Sequence, residues 1–181
     1  LRKTIIILLV FISWTTFSQS EKSPDRILTY GLPNFDYQKA MEFVGKKWGI
    51  ELYPVAGCMV SQELMDSVKI VNKKLWKKMD SIHGMDSEKK FLKETVAEMK
   101  RINEAQKIFD SDRQIKKRIR KIKKEKKGTN TYLESVSADG NIYYWTVYSF
   151  KSKNNPEYNW GPEFKVGVNL TEKKTEIIEL E

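Results

Sequence analysis

The sequence predicts an α+β fold, with a helical N-terminal half packed on a C-terminal antiparallel β-meander of three to five strands. Three observations carry that expectation. Apolar residues recur at helical spacing within residues 34–127, two-residue alternation takes over after Gly128, and Asp139-Gly140 lies between two β-rich runs where a short hairpin turn belongs. Helices followed by strands, rather than helices alternating with strands, give segregated layers.

The elements follow in chain order. The chain opens LRKTIIILLVFISWTTFSQSEK. Arg2 and Lys3, the apolar run from Ile5 to Ile12, and Thr16 and Ser18 before Gln19 have the layout of a signal peptide over residues 1–18. The run falls well short of the ~20 residues that cross a bilayer, so no stable transmembrane helix is expected in a mature chain of 19–181. That chain is expected to be a single α+β domain, helical over about 34–127 and β over about 129–181. It would be exported, to the periplasm or the extracellular space. Pro24 to Pro33 reads as an irregular lead-in. Asn34 or Asp36 can cap a helix carrying Phe35, Ala40, Met41, Val44 and Trp48, ended by Gly49. IELYPVAGCMV is β-prone at first, but Pro54 and Gly57 restrict it to a short or edge strand.

Ser61 caps the next predicted helix, where Leu64, Val68, Val71, Leu75, Met79 and Ile82 form the apolar stripe and His83-Gly84 closes it. A second long helix starts near Asp86, with Phe91, Val96, Met99, Ile102 and Phe109 on its apolar face. It runs into a basic segment after a break at Asp110-Ser111-Asp112, and Gly128 ends the helical half. Beyond the hairpin and the loop NNPEYNWGP, Phe164, Val166, Val168 and Leu170 alternate as in a half-buried strand, and TEIIEL forms the last strand. Residues 142–150 carry large groups on both faces: Tyr143, Trp145 and Val147 on one, Ile142, Tyr144, Tyr148 and Phe150 on the other. A strand apolar on both sides is usually covered twice. The second cover would be the N-terminal helical unit, another subunit or a ligand.

Charge is concentrated. The full chain carries +9, or +7 once Arg2 and Lys3 leave with the signal peptide; residues 113–127, with ten Lys or Arg against one Glu, supply +9, so the remainder sums to −2. Within that run Ile115, Ile119 and Ile122 step by four and three onto one helix face, with the basic residues wrapped around the rest. Arg113, Lys116, Lys117, Arg120, Lys121 and Lys124 are therefore candidate contacts for an anionic surface. Export favours an anionic envelope polymer or lipid headgroups over nucleic acid, with a protein partner as a further option. The structural alternative is that the isoleucines continue the core contact of the preceding helix while the lysines solvate its outer side.

Catalytic candidates are few. His83 is the single histidine, which removes histidine-cluster metal sites, and Cys58 is the single cysteine, which removes an intrachain disulfide. A Cys58–His83 pair has no orienting third group in the sequence; Cys58 reads as a small buried hydrophobe, and His83 as a helix-terminal cation. VAGC ending at Cys58 lies too far downstream of the apolar run to be a lipidation signal. Glu94 and Glu98 are one helical turn apart, but Lys89, Lys90, Lys93 and Lys100 interleave with them as on a solvated face. No GxGxxG, P-loop, GxSxG or HExxH is present, and neither a cofactor nor a metal is expected. Trp160, between Asn159 and Gly161-Pro162, reads as a loop aromatic able to stack on a sugar or peptide; Tyr144 and Tyr148 are further candidate ligand contacts.

Val44-Gly45-Lys46-Lys47-Trp48-Gly49-Ile50, followed by Tyr53 and Gly57-Cys58-Met59-Val60, resembles the FEKKY-type domains of uncharacterised exported bacterial proteins over roughly residues 35–100. Lys46 and Lys47 match the name-giving motif, Val44 and Trp48 are apolar or aromatic substitutes, and Gly45 departs from its acidic position. The resemblance implies a domain without an assigned reaction and supplies no site residues; Trp48 and Cys58 read as packing positions. Binding through the basic helix is thus the first functional expectation. The alternatives are a small α+β pocket enzyme, with a cavity between helices and sheet lined by Tyr144, Tyr148 and a desolvated acid, or an inhibitor or immunity partner with a flat aromatic patch around Trp160.

Overall fold

The computed structural model describes residues 24–31, 34–151 and 160–180. The expected signal peptide and most of the loop before Trp160 lie outside the described residues. The α+β class stands, with four helices preceding a four-stranded antiparallel sheet of order β3-β4-β5-β6.

The lead-in is not irregular. Asp25–Tyr30 forms a strand, β1, which pairs in parallel with β2, Ile50–Ala56, across helix α1, Phe35–Trp48. A parallel neighbour is reached only through a crossover, so it leaves no hairpin signal in the sequence. The expectation of a short or edge strand at residues 50–56 holds, because the pair is a sheet of two. Asn34 caps α1, its Oδ1 accepting from the Asp36 and Tyr37 amides at 3.1 and 3.2 Å, and Gly49 closes it at φ +69°. Phe35, expected on the apolar stripe, is 78% exposed at the first turn.

Helix α2, Gln62–His83, is capped by Ser61, whose Oγ accepts from the Leu64 amide. Val68, Leu75 and Met79 are buried as expected, but Val71 and Ile82 are exposed because the face in contact with the fold is narrower than the sequence stripe. The Asn72 amide brackets Leu28 on β1, accepting from its N–H and donating to its C=O, both at 2.9 Å, and so ties helix to strand edge. In α3, Ser87–Ser111, the buried residues are Ser87, Phe91, Thr95, Glu98, Ile102, Ala105 and Phe109. The stripe therefore passes through Thr95 rather than Val96, which is exposed, and through a carboxylate expected on the solvated face.

The break at residues 110–112 is real. Asp112 ends α3 and caps α4, Arg113–Lys124, its Oδ1 accepting from the Gln114 and Ile115 amides at 2.7 and 2.9 Å. Gly128 does not end the helix, which stops at Lys124; it lies inside β3, Lys127–Val136, paired with Phe150 of β4, Ile142–Lys151. A Cβ there would sit 2.3 Å from the Phe150 ring, so that ring lies across a position only glycine leaves open. The Asp139-Gly140 turn joins β3 to β4, with Gly140 at φ +75°. Strands β5, Trp160–Asn169, and β6, Lys174–Ile178, complete the sheet.

Two apolar clusters hold the fold. The larger packs Ala40, Phe43, Ile102, Ala105, Phe109, Ile115 and Ile122 of the helices on Tyr143, Trp145, Val147, Phe164, Val166 and Val168 of the sheet. The smaller gathers Ile27, Val44, Ile50, Leu75, Met79 and Phe91 around the parallel pair. Helices α1 and α3 contribute to both.

Candidate functional site

Helix α4 is placed by its isoleucines. Ile115 and Ile122 are buried in the larger cluster and Ile119 packs against it, so the apolar stripe is consumed inside the molecule. Eight of the twelve residues, RQIKKRIRKIKK, are basic and none is acidic. Arg118 is half-buried, ion-paired with Glu179 and placed 5.4 Å over the Phe164 ring. The Glu179 carboxyl is held below the usual carboxylate range by the hydrogen bond from Arg118. Arg113, Lys116, Lys117, Arg120, Lys121 and Lys124 are all exposed, as is Lys123, and none of the seven forms an ion pair among the described residues. Sequence reasoning thus located both faces of this helix, the buried and the cationic.

Tyr144 and Tyr148 face away from the helices. Tyr143, Trp145 and Val147 take the helical side of β4, which turns Ile142, Tyr144, Tyr148 and Phe150 to the opposite side. On that side Tyr132 meets Tyr148 edge-on at 5.6 Å, and Phe150 stacks on Trp160 with centroids 4.9 Å apart and planes 20° from parallel. Trp160 opens β5 rather than tipping a loop; it is brought together with Tyr144 and Tyr148 on one sheet face, while the α4 cations belong to the helical layer. The Tyr148 hydroxyl donates to Glu134, which is ion-paired with Lys165 at 2.8 Å. Partial burial pushes the Glu134 carboxyl up, but Lys165 and the hydroxyl donors outweigh it, and the group stays below its ordinary value.

A cavity between helices and sheet lined by Tyr144 and Tyr148 is ruled out by this orientation. The cleft that does lie there, about 610 Å³ in volume, is bounded by Phe35, Lys39, Glu42, Ile102, Tyr132 and Leu133 among others. Its Glu42 carboxylate is ion-paired with Lys39 at 2.7 Å.

The desolvated acid exists elsewhere. Glu98, only 4% exposed, accepts from the Tyr143 hydroxyl at 2.6 Å, and Lys47 Nζ lies 3.4 Å from its other oxygen. Arg101 Nε donates to Tyr143 Oη at 3.1 Å, and its Nη2 donates to the Gly140 carbonyl. Burial first, and the facing carboxylate second, push the Tyr143 phenol far above its ordinary range, which keeps it a proton donor. The group ties α1, α3 and the β3–β4 turn together. One signal could have found it: Glu98 falls at stripe spacing between Phe91, Thr95 and Ile102. Beside it, Trp48 donates to Glu94 at 2.9 Å, so Lys47 and Trp48 both dock on α3.

Cys58 and His83 flank α2, which at 22 residues separates its ends by about 33 Å, and no nucleophile pair forms. Cys58 is exposed in the β2–α2 connection rather than buried. His83 stacks on Trp48 at 4.3 Å between centroids. Among the described residues no group of three or more His, Cys, Asp and Glu could hold a metal, and no helix is long and apolar enough to cross a membrane. No protein-family model matches the chain, and no curated protein or solved structure matches it.

Proposed function

We propose that this is an exported binding protein whose contact surface is the outward face of α4, directed at an anionic envelope polymer or an array of lipid headgroups. The observation that carries this reading is the division of labour on α4. Its isoleucines are committed to the core, while seven exposed cations stand without ion partners among the described residues. Helices of one charge sign repel themselves, and a surface under no other demand tends to intersperse both signs. The buried stripe also defines the mode of contact. An in-plane membrane helix must bury its apolar face in lipid; α4 could do so only by leaving the core, so its contact is peripheral and electrostatic.

The test compares the 19–181 chain with a variant in which Lys116, Lys117, Arg120, Lys121 and Lys124 are changed to Glu. Binding to vesicles containing anionic lipid, to dextran sulfate and to duplex DNA is measured at low and high salt. Wild type is expected to bind an anionic probe at low salt and release it steeply as salt rises, through counterion exchange. The variant should keep its far-UV spectrum and lose binding. Equal binding by both proteins, or none by either, makes α4 a solvated helix and overturns the proposal. A clear preference for DNA overturns the envelope assignment.

A further inference from the structure

The four-stranded sheet has two edges, β3 and β6, and they differ. On β6, five residues long, Lys174 and Glu176 bring charge to the edge, and Thr175 is tied to Asp112 of α4. In the smaller sheet β2 carries Pro54, and the Asn72 amide brackets Leu28 on the outer edge of β1. Charge, proline and cover are the usual means of keeping an edge from pairing with another chain. Thr129-Asn130-Thr131-Tyr132-Leu133 of β3 has no charge and no proline. We propose that this edge receives an extended peptide segment of a partner protein as a fifth strand.

The phase of the ladder decides which main-chain groups are free to pair. The Ser137 N–H donates to the Ile142 carbonyl at 2.8 Å, so Ile142 and every second residue of β4 after it turn their main-chain groups toward β3. Thr146 and Tyr148 belong to that set and stand opposite Tyr132 and Asn130. Thr129, Thr131 and Leu133 therefore point their N–H and C=O groups away from the sheet. The Thr131 N–H fits this phase: it donates at 2.9 Å to the Asn130 side-chain oxygen rather than to β4. A row with a donor and an acceptor at every second residue is matched by the main chain of another strand.

The space beside this row is a cleft. Asn130, Thr131, Tyr132 and Leu133 all line the volume of about 610 Å³ although their side chains alternate between the two faces, so the cleft meets the strand edge-on. Its other wall is one side of α1 from Phe35 to Glu42, and Ile102 and Trp145 line it on the helical side. At ~3.3 Å per residue Asn130 to Leu133 spans about 13 Å, room for about four residues of an added strand. Side chains of that strand opposite Thr131 and Leu133 would turn toward Ile102 and Trp145, which calls for apolar residues there. Lys39 is ion-paired with Glu42, which leaves Asp36 as the uncompensated charge of the wall among the described residues. A segment with a basic residue at one end is its complement.

The experiment screens a library of random heptapeptides, acetylated and amidated at their ends, on the 19–181 chain and titrates the best binder by heat of binding. At least one peptide should bind saturably below millimolar concentration and shift the amide signals of Thr129, Thr131 and Leu133. Thr131→Pro removes one outward donor and spares the β3–β4 ladder; it should weaken binding about tenfold. Asp36→Asn should weaken it about threefold. Should Thr131→Pro lose its far-UV spectrum, the peptide itself carries the test on the unaltered protein. Methylating its amide nitrogens at alternate residues should abolish binding in one phase and spare it in the other. The α4 charge-reversal variant should bind the peptide as wild type does, so this proposal and the polyanion reading stand or fall separately. Failure to select any peptide overturns the proposal, as does a footprint away from β3 or equal binding by the two methylated phases. Unchanged affinity in Asp36→Asn overturns the charge assignment.

Discussion

Glu98 shows how much one residue can hide. Its lysine neighbours Lys93 and Lys100 suggest water, yet it lies on the face of α3 that carries Phe91, Ile102 and Phe109 and is buried with them. Carboxylates are seldom buried unless paired, so spacing alone does not outweigh that prior. The partners that settle it, Lys47 and Tyr143, lie 51 and 45 residues away in the chain. Replacing Glu98 with alanine leaves the Tyr143 hydroxyl proton without its acceptor, while Arg101 still donates to the oxygen, and should destabilise the protein by about 1–3 kcal/mol in urea unfolding. Combined with Tyr143→Phe, the loss should be less than the sum of the two singles, because both remove one hydrogen bond. Strict additivity would mean that the contact contributes nothing. A buried pair of this kind is weak support for net stability, so the coupling, more than the size of either loss, is the informative quantity.

At the scale of elements, α4 was the most legible. Three isoleucines at four- and three-residue steps are a local signal, and the break at residues 110–112 falls where the sequence put it; that Asp112 caps the helix emerges from the structure. Asp112 does more than cap: its second oxygen accepts from the Thr175 hydroxyl on β6, joining helix start to sheet edge. Burial pushes its carboxyl up. The Thr175 hydroxyl, the Ile115 and Gln114 amides and the Lys116 charge outweigh that and leave it below its ordinary value. A carboxyl lowered by folding adds stability that is fully present above its unfolded value and is lost as pH falls through the folded one. Asp112→Ala should therefore cost about 0.5–2 kcal/mol near neutral pH. The gap to wild type should narrow on acidification below about pH 4, near the ordinary aspartate value. A gap that stays constant down to pH 2 would show that charge plays no part in the cap. The parallel strand β1 was illegible by contrast. RILTY is β-prone, but its partner lies across a whole helix, and a lone extended stretch between prolines carries no mark of pairing.

Across the whole molecule, α3 runs from the small cluster at Phe91 to the large one at Ile102 and Phe109. Helix α1 spans both as well, through Val44 on one side and Phe43 on the other. With two shared helices the clusters should unfold together. Far-UV dichroism and tryptophan fluorescence are expected to give coincident urea transitions. Phe91→Ala, a truncation that costs about 3–5 kcal/mol in a packed core, should shift both midpoints equally. Two separated transitions would show that the parallel pair and its helices unfold independently of the sheet.

By itself the sequence determined the class, the caps of the first two helices, the hairpin turn and the apolar stripe of the basic helix. Each of these rests on periodicity or turn chemistry among residues a few positions apart. Only the tertiary structure decided that Glu98 is buried, that β1 has a partner, that Cys58 is exposed, and that Tyr144, Tyr148 and Trp160 share the sheet face turned away from the helices. Those outcomes depend on which distant segments meet. Register and layer order turn a two-sided aromatic strand into one face packed on the helices and one turned away from them, and no window of neighbouring residues contains that choice.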